Sequence, residues 1–331
     1  MEVLRGRSVV VTGADGFIGS HLVERLLTEG ADVRALCYYT SEGSRGWLEA
    51  LPAEQLAQVD VWLGDVRDHG FVHNLIDGCD TVFHLAALIA IPYSYLAPRA
   101  FVDTNIVGTQ HVLDAVRGTG ALMINTSTSE VYGTPAEVPI RETHPLQGQS
   151  PYAATKIAAD KLCEAYARSF GTRVVTLRPF NTYGPRQSLR AVIPTVLAQL
   201  LGGAEEIHLG SLSPRRDFTY VDDTVEGFVR TATGDLEPGE VVQLGTGVAY
   251  SIAEVVEACQ RVVGTSARIV TDEARLRPAA SEVEVLLSDP SFAHRRLGWE
   301  ARFGFEEGLA RTADWLRDRG VHADVAARYH R

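Results

Sequence analysis

Apolar and polar positions change period repeatedly along the 331-residue chain. Short apolar, largely β-branched runs at 8–12, 32–37, 59–64, 81–85, 122–124 and 174–177 read as strands. Between them lie stretches with helical apolar spacing: 20–30, stopping at Gly30, one that begins near Phe101, and 152–166. Strand and helix in alternation predict an α/β fold built on a doubly wound parallel sheet. After Leu177 the pattern gives way to a turn-rich segment, 178–186, that holds Pro179 and Pro185. A helix is predicted over 191–201 and an amphipathic one over 306–317.

The first strand runs straight into Gly13-Ala-Asp-Gly16-Phe17-Ile18-Gly19, and the first helix follows. Strand, glycine turn and helix in that order are the context of a dinucleotide site. The glycines permit a tight turn and close backbone approach, and the helix N-terminus offers N–H groups to a pyrophosphate. A glycine-rich turn of an unrelated α/β protein is the bland alternative. It is disfavoured by the motif's place at the head of a β-α-β series. A carboxylate near the end of the second strand would hold ribose hydroxyls. That position reads as Cys37, followed by Tyr38, Tyr39, Thr40, Ser41 and then Arg45, so a 2′-phosphate is not repelled and NAD versus NADP stays open. Asp65 and Val66 are a candidate adenine contact. Leu85, Ala86 and Ala87 are small or apolar enough for a dinucleotide to lie over them, and Asn105 sits on the helix that follows.

Candidate chemistry gathers where the 122–124 strand ends. Thr128 and Glu130 come first, then Tyr152 and Lys156, which share one face of a predicted helix. An ammonium close to a phenol favours the phenolate, which makes Tyr152 a usable base. Arg190, Arg216 and Arg277 are candidate partners for a diphosphate, although a surface role is the commoner fate of an arginine. His84, in an apolar strand, reads as a satisfied core histidine. His73 and His111 read as helix residues, and no metal-binding spacing is present.

Composition narrows the classes. A formal net charge of -11 without a basic cluster argues against nucleic-acid binding. Cys37, Cys79, Cys163 and Cys259 are far apart and read as buried thiols in a reducing compartment. No signal h-region and no membrane-length apolar run is seen, so a cytoplasmic protein is expected.

Gly13/Gly16/Gly19, Asp65, Leu85-Ala-Ala87, Asn105, Tyr152-x-x-x-Lys156, Arg178-Pro-Phe-Asn181 and Arg216-Asp-Phe218 together resemble the extended short-chain dehydrogenase/reductase superfamily. The likeness is to its nucleotide-sugar epimerases and dehydratases, over essentially the whole chain. The resemblance implies a Rossmann domain over 1–178, with about 219–250 returning to it, and a smaller C-terminal substrate-binding domain over 179–331. It implies NAD or NADP retained through the cycle, no metal, a UDP- or GDP-linked hexose, and a homodimer. By resemblance Tyr152 takes the proton of the sugar 4-hydroxyl, Lys156 holds the cofactor ribose, and Thr128 bonds the same hydroxyl. Asn181 and Arg216 would touch the diphosphate, Arg190 and Arg277 are further candidates, and Ser94 lies in a loop expected to meet the substrate.

Simple 4-epimerases of the superfamily carry a small or neutral residue at Glu130, whereas a 4,6-dehydratase needs a group to move the C5 proton. Thr-Ser-Glu resembles GDP-mannose 4,6-dehydratases; dTDP-glucose 4,6-dehydratases carry Asp where Ser129 stands. Thr-Ser-Glu-Val-Tyr-Gly also resembles UDP-glucuronate decarboxylases. The stretches 89–95, 144–151, 209–218 and 275–282 look like bacterial 4,6-dehydratases of the legionaminic-acid type, which act on GDP-N-acetylglucosamine. The apolar 89–92 loop would face the sugar, which suits a dehydratase better than a decarboxylase. A dehydratase is therefore the expected activity, with 4-epimerase and decarboxylase as alternatives. A non-catalytic dinucleotide sensor is a distant one, since such proteins typically lose the Tyr or the Lys.

Overall fold

The computed structural model describes residues 3–320, so the last part of the expected 179–331 domain, 321–331, lies outside the described residues, as do residues 1 and 2. The strands are β1 (Ser8–Thr12), β2 (Asp32–Tyr38), β3 (Asp60–Gly64), β4 (Thr81–His84), β5 (Leu122–Thr126), β6 (Val174–Pro179), β7 (Asn181–Tyr183), β8 (Glu206–Leu209), β9 (Arg215–Tyr220), β10 (Val241–Leu244), β11 (Ala249–Ser251), β12 (Arg268–Thr271) and β13 (Val285–Leu286).

One sheet runs β10-β6-β5-β4-β1-β2-β3, and all its neighbours are parallel. Val9, Val10 and Val11 of β1 are fully buried. A strand covered on both faces reads as an unbroken apolar run, which is why β1 was legible. Chain order reverses between β1 and β4, and a crevice opens at such a switch point beyond the strand ends. The glycine loop follows β1 and Leu85–Ala87 follows β4, so both sit at that point.

Helix α1 (Phe17–Thr28) starts three residues before the expected 20 and buries Leu22, Val23 and Leu26. The helix expected near Phe101 is interrupted: an α turn, Pro98–Phe101, passes into a π-helical turn, Val102–Val107, before Gly108–Val116. The Tyr152 helix, Pro151–Phe170, is longer than expected. Ser150 caps it by accepting the Ala153 N–H, and Gly171, at φ +66°, ends it in the left-handed region.

Beyond β6 the chain builds a smaller unit, β11-β9-β13 with β7 beside β9, and a separate β12-β8 pair. The helices Val192–Leu201, Ile252–Val263 and Phe305–Asp318 pack on one another. The chain also comes back: the helix Val221–Thr233 packs against α1, and β10 pairs with β6. Cys37, Cys163 and Cys259 are buried free thiols, while Cys79 is only half-buried. Among the described residues no helix is long and apolar enough to cross a membrane.

Candidate active site

The glycine loop is shaped by close approach. Gly13 has φ +69°, and a Cβ on it would stand 2.8 Å from Ala86 N. A Cβ on Gly19 would stand 2.1 Å from Gly13 O. Gly16 is the N-cap of α1 and no side chain caps that turn. The N–H groups of Phe17, Ile18 and Gly19 precede the first helical bond and are free for an anion. Thr12 Oγ1 accepts from Leu85 N and Ala86 N, both at 3.1 Å, fixing the facing turn. Asp15 ties the loop to β2, its Oδ2 accepting Tyr38 N at 3.1 Å. Buried Thr126 Oγ1, at the end of β5, and Asn181 Oδ1, at the start of β7, have no protein partner. These residues fit a dinucleotide: a side-chain-free cradle, an uncapped helix start and unpaired polar atoms beyond the strand ends.

Thr128 and Glu130 lie just past β5. Thr128 caps a short 3₁₀ turn, Ser129–Tyr132, its Oγ1 accepting Glu130 N at 3.2 Å. Gly133, at φ +58°, closes that turn where a Cβ would meet Gln147 O at 2.4 Å. Across from it, Tyr152 is 7% exposed and shares a hydrogen bond with Thr128. Phe101 meets the Tyr152 ring edge-on at 6.3 Å, and Ile91 completes the apolar cluster. So Ile91 packs on Tyr152, and Ile89 of the loop expected to face the sugar is exposed.

The expected lowering of Tyr152 by Lys156 is not produced by the protein's own groups. Burial pushes the phenol well above its ordinary value; the Thr128 bond opposes this, while the Glu130 and Asp160 charges add to it. Lys156 Nζ donates instead to Thr126 O at 2.6 Å. Burial lowers the Lys156 pKa, and Asp160, one turn further on, acts to raise it. Asp160 is itself held: Oδ1 accepts Asn125 Nδ2 at 3.2 Å, and Oδ2 accepts Ser127 Oγ at 2.8 Å and Arg178 Nε at 3.1 Å.

Two candidate arginines converge on Glu282, and one of them also reaches Glu130. Arg277 Nη1 is 3.7 Å from Glu130 Oε1 and 3.7 Å from Glu282 Oε1. Arg216 Nη2 donates to Glu282 Oε1 at 3.2 Å. Burial lowers the Arg216 pKa, and the charges of Glu130 and Glu282 act to hold it up. Arg190 is not brought into this cluster by any bond: it is exposed, and its backbone N–H donates to Ser188 Oγ.

Several expected contacts are differently employed. Ser94 is wholly enclosed, and its Oγ donates to Ile91 O at 2.7 Å, which shapes the loop. Asn105, in the π turn, uses its amide on the Leu88 backbone in both directions and on Thr155 Oγ1. These bonds fix the loop after β4. The Asp65 carboxylate is taken by Arg67, whose Nη2 also reaches Tyr38 Oη at 3.4 Å. Val66 is buried, and its carbonyl bonds His111 Nδ1. Cys37 is inside the sheet because β2 runs on to Tyr38; Tyr38 and Tyr39 are the exposed residues at that strand end. A cleft of about 250 Å³ lies between Tyr38, Tyr39, Leu63, Gly64, Asp65 and Phe71. His84 is a satisfied core histidine, bonded to Thr12 Oγ1 and Thr109 Oγ1, and burial takes its pKa down to about 3.

Two residues of the site went unnoticed in the sequence. Asp160 had a signal, standing four residues after Lys156 on the same helical face. Glu282 had none: Arg277 stands five residues before it in an irregular segment where spacing implies no shared face, and Arg216 lies far along the chain. Ser281 beside it binds the region together: it donates to Gln149 O at 2.7 Å and bonds Tyr95 Oη at 2.6 Å. Among the described residues no group of three or more His, Cys, Asp or Glu is placed to hold a metal.

The chain is similar to known nucleotide-sugar epimerases and dehydratases. A UDP-glucose 4-epimerase of Mycolicibacterium smegmatis is 33% identical over 318 residues, covering 94% of this chain and 98% of that protein. A dTDP-glucose 4,6-dehydratase of Actinoplanes sp. is 34% identical, covering 93% of this chain and 97% of its own length. The crystal structure of DesIV, a dTDP-glucose 4,6-dehydratase of Streptomyces venezuelae with NAD bound, superposes with a TM-score of 0.85 at 31% identity, covering 96% and 99% of the two chains. The fold is accordingly the Rossmann-like one of nucleotide-sugar dehydratases and epimerases. The family profile of the GDP-mannose 4,6 dehydratases matches residues 10–312, and the chain is an enzyme that belongs to that family.

Proposed function

We propose that this enzyme is a nucleotide-hexose 4,6-dehydratase, converting an NDP-hexose to a 4-keto-6-deoxy sugar. The observation that carries the reading is Glu130, whose carboxylate sits within electrostatic reach of Tyr152 and against Arg277. Tyr152, buried and bonded to Thr128, takes the proton of the sugar 4-hydroxyl as C4 is oxidised. Lys156, fixed to Thr126 O and with the Asp160 charge favouring its ammonium against burial, would hold the cofactor ribose. Glu130 removes the C5 proton and delivers a proton to the departing 6-hydroxyl, so that water leaves across C5 and C6. A nicotinamide, when bound, would accept the C4 hydride and return it to C6, while C5 regains a proton, balanced by the one that Tyr152 took from the 4-hydroxyl. Gly13, Gly16, Gly19 and the first turn of α1 would hold its pyrophosphate. The relatives solved with NAD support NAD as the cofactor; the lack of a carboxylate at Tyr38 and Tyr39 leaves NADP admissible.

Arg216, Arg277 and Asn181 are the proposed seat of the diphosphate, and a UDP- or GDP-linked hexose, GDP-N-acetylglucosamine among them, is the proposed substrate. The test is incubation with a panel of nucleotide hexoses and mass spectrometry of the product. Loss of one water supports the reading, and a product of unchanged mass sinks it in favour of 4-epimerase. A second reading has one observation behind it: Arg277, 3.7 Å from Glu130, would also suit a C6 carboxylate, as a UDP-glucuronate decarboxylase needs. Release of carbon dioxide from UDP-glucuronate would establish it. In a Glu130→Gln enzyme some cofactor reduction should persist while water elimination is lost; full retention would remove Glu130 from the chemistry.

A further inference from the structure

Arg216 and Arg277 are already engaged by a carboxylate. Arg216 Nη2 lies 3.2 Å from Glu282 Oε1, and Arg277 Nη1 lies 3.7 Å from the same oxygen. Two guanidinium groups aimed at one anionic oxygen is the arrangement a phosphate oxygen would take. Arg277 Nη1 is buried yet makes no hydrogen bond, although Glu130 Oε1 and Glu282 Oε1 both stand 3.7 Å away. A buried donor left unpaired is costly, and a closer anion would relieve it. The Arg216 side chain is 6% exposed and Glu282 18%, so this is a built site and no loose surface pair.

Charge counting gives the direction. Glu130 and Glu282 already balance Arg216 and Arg277. A diphosphate brought to the same guanidiniums would put further negative charge beside two carboxylates, so one carboxylate must withdraw. Glu130 is anchored by the turn that follows β5, with Thr128 Oγ1 on its N–H. Glu282 follows a one-turn segment, Ala279–Ser281, flanked by Pro278 and exposed at Pro278, Ala279 and Ala280; apart from the two arginines its carboxylate meets the Val283 N–H, at 3.3 Å.

We propose that Glu282 is a placeholder anion: it holds Arg216 and Arg277 in the seat of the substrate diphosphate and must be displaced for a nucleoside diphosphate to bind. Glu282 thereby sets the affinity of the site, and selects for ligands with enough negative charge to win the exchange. This deepens the nucleotide-sugar reading and rests on it.

The test is calorimetric titration of UDP, GDP and dTDP into the full-length enzyme and into Glu282→Gln, Glu282→Ala and Arg216→Met variants, with NAD and NADP titrations alongside. The nucleoside diphosphate that binds best should bind about tenfold tighter to Glu282→Gln or Glu282→Ala and at least tenfold weaker to Arg216→Met, with pyridine-nucleotide binding unchanged. A gain of affinity is a result that damage to the fold does not produce. Equal or weaker binding by both Glu282 variants overturns the proposal and makes Glu282 a positioning group for the arginines. If wild type and variants all bind pyridine nucleotide but no nucleoside diphosphate, the nucleotide-sugar reading itself falls, and the proposal with it.

Discussion

Lys156 and Thr126 are joined by a 2.6 Å hydrogen bond from the buried ammonium to the backbone carbonyl that ends β5. The bond locks the helix of Tyr152 to the end of the strand that delivers Thr128 and Glu130. Replacing Lys156 with Met removes both the bond and the charge. We expect weaker pyridine-nucleotide binding and a fall in kcat of about 10²–10⁴. Nucleotide titration and steady-state turnover measure the two effects, and wild-type values for both would refute the role.

Tyr152→Phe should keep nucleotide binding and fold while losing about 10²–10⁴ in kcat. The pH profile gives a second handle. Thr128's hydrogen bond lowers the Tyr152 pKa against a rise caused mainly by burial. Thr128→Val therefore makes the phenolate harder to form, and the acidic limb of kcat/KM should move to higher pH. A limb that stays in place or moves to lower pH would contradict this.

Asp160 and Arg178 form an ion pair at 3.0 Å with both side chains nearly inaccessible, 3% and 4% exposed. Taking away the acid leaves an uncompensated buried guanidinium, so Asp160→Asn should cost about 3–5 kcal/mol. Equilibrium denaturation checks it. Loss under 1 kcal/mol would mean that Ser127, Asn125 and Tyr132 carry the network without the charge.

His84 predicts acid sensitivity. Its pKa falls from 6.5 to about 3 because burial, helped by Lys156, disfavours the imidazolium. Between those values the unfolded chain binds a proton that the folded one refuses, so stability falls as pH drops from about 6.5 toward 3. His84→Gln should show a shallower loss over that window. Urea midpoints at pH 7, 6, 5 and 4 would reveal it; parallel curves for the two proteins would not fit.

Gly13→Ala tests the cradle. The new methyl would press on Ala86 N at 2.8 Å, and φ +69° is strained for any side chain. Lower thermal stability and loss of pyridine-nucleotide binding are expected together. Unchanged binding by titration would show that the turn after β4 gives way.

Local pattern made the scaffold legible. Buried β-branched strands such as β1 announce themselves, and the glycine spacing before α1 is set by approaches of a few ångströms that no other residue permits. What stayed hidden depended on orientation or on distant partners. The pattern makes Cys37 the strand-end residue, but β2 runs one residue further, to Tyr38, and that one step exchanges inside and outside. Asn105 and Ser94 have their polar atoms spent on nearby backbone, which no spacing rule reveals. Glu282 gains its meaning only where β5, β9 and the turn before β13 meet.

The route of the chain after β6 has a mechanical consequence. It leaves through β7 and β9, returns through Val221–Thr233 and β10, and leaves again through β11. No single peptide link joins the half built on the seven-stranded sheet to the other. A chain stopped at Pro179 would leave β6 as a raw edge and bare the α1 face that Val221–Thr233 covers. The halves should therefore melt as one cooperative unit, and a single proteolytic nick in any one crossing should not release either of them.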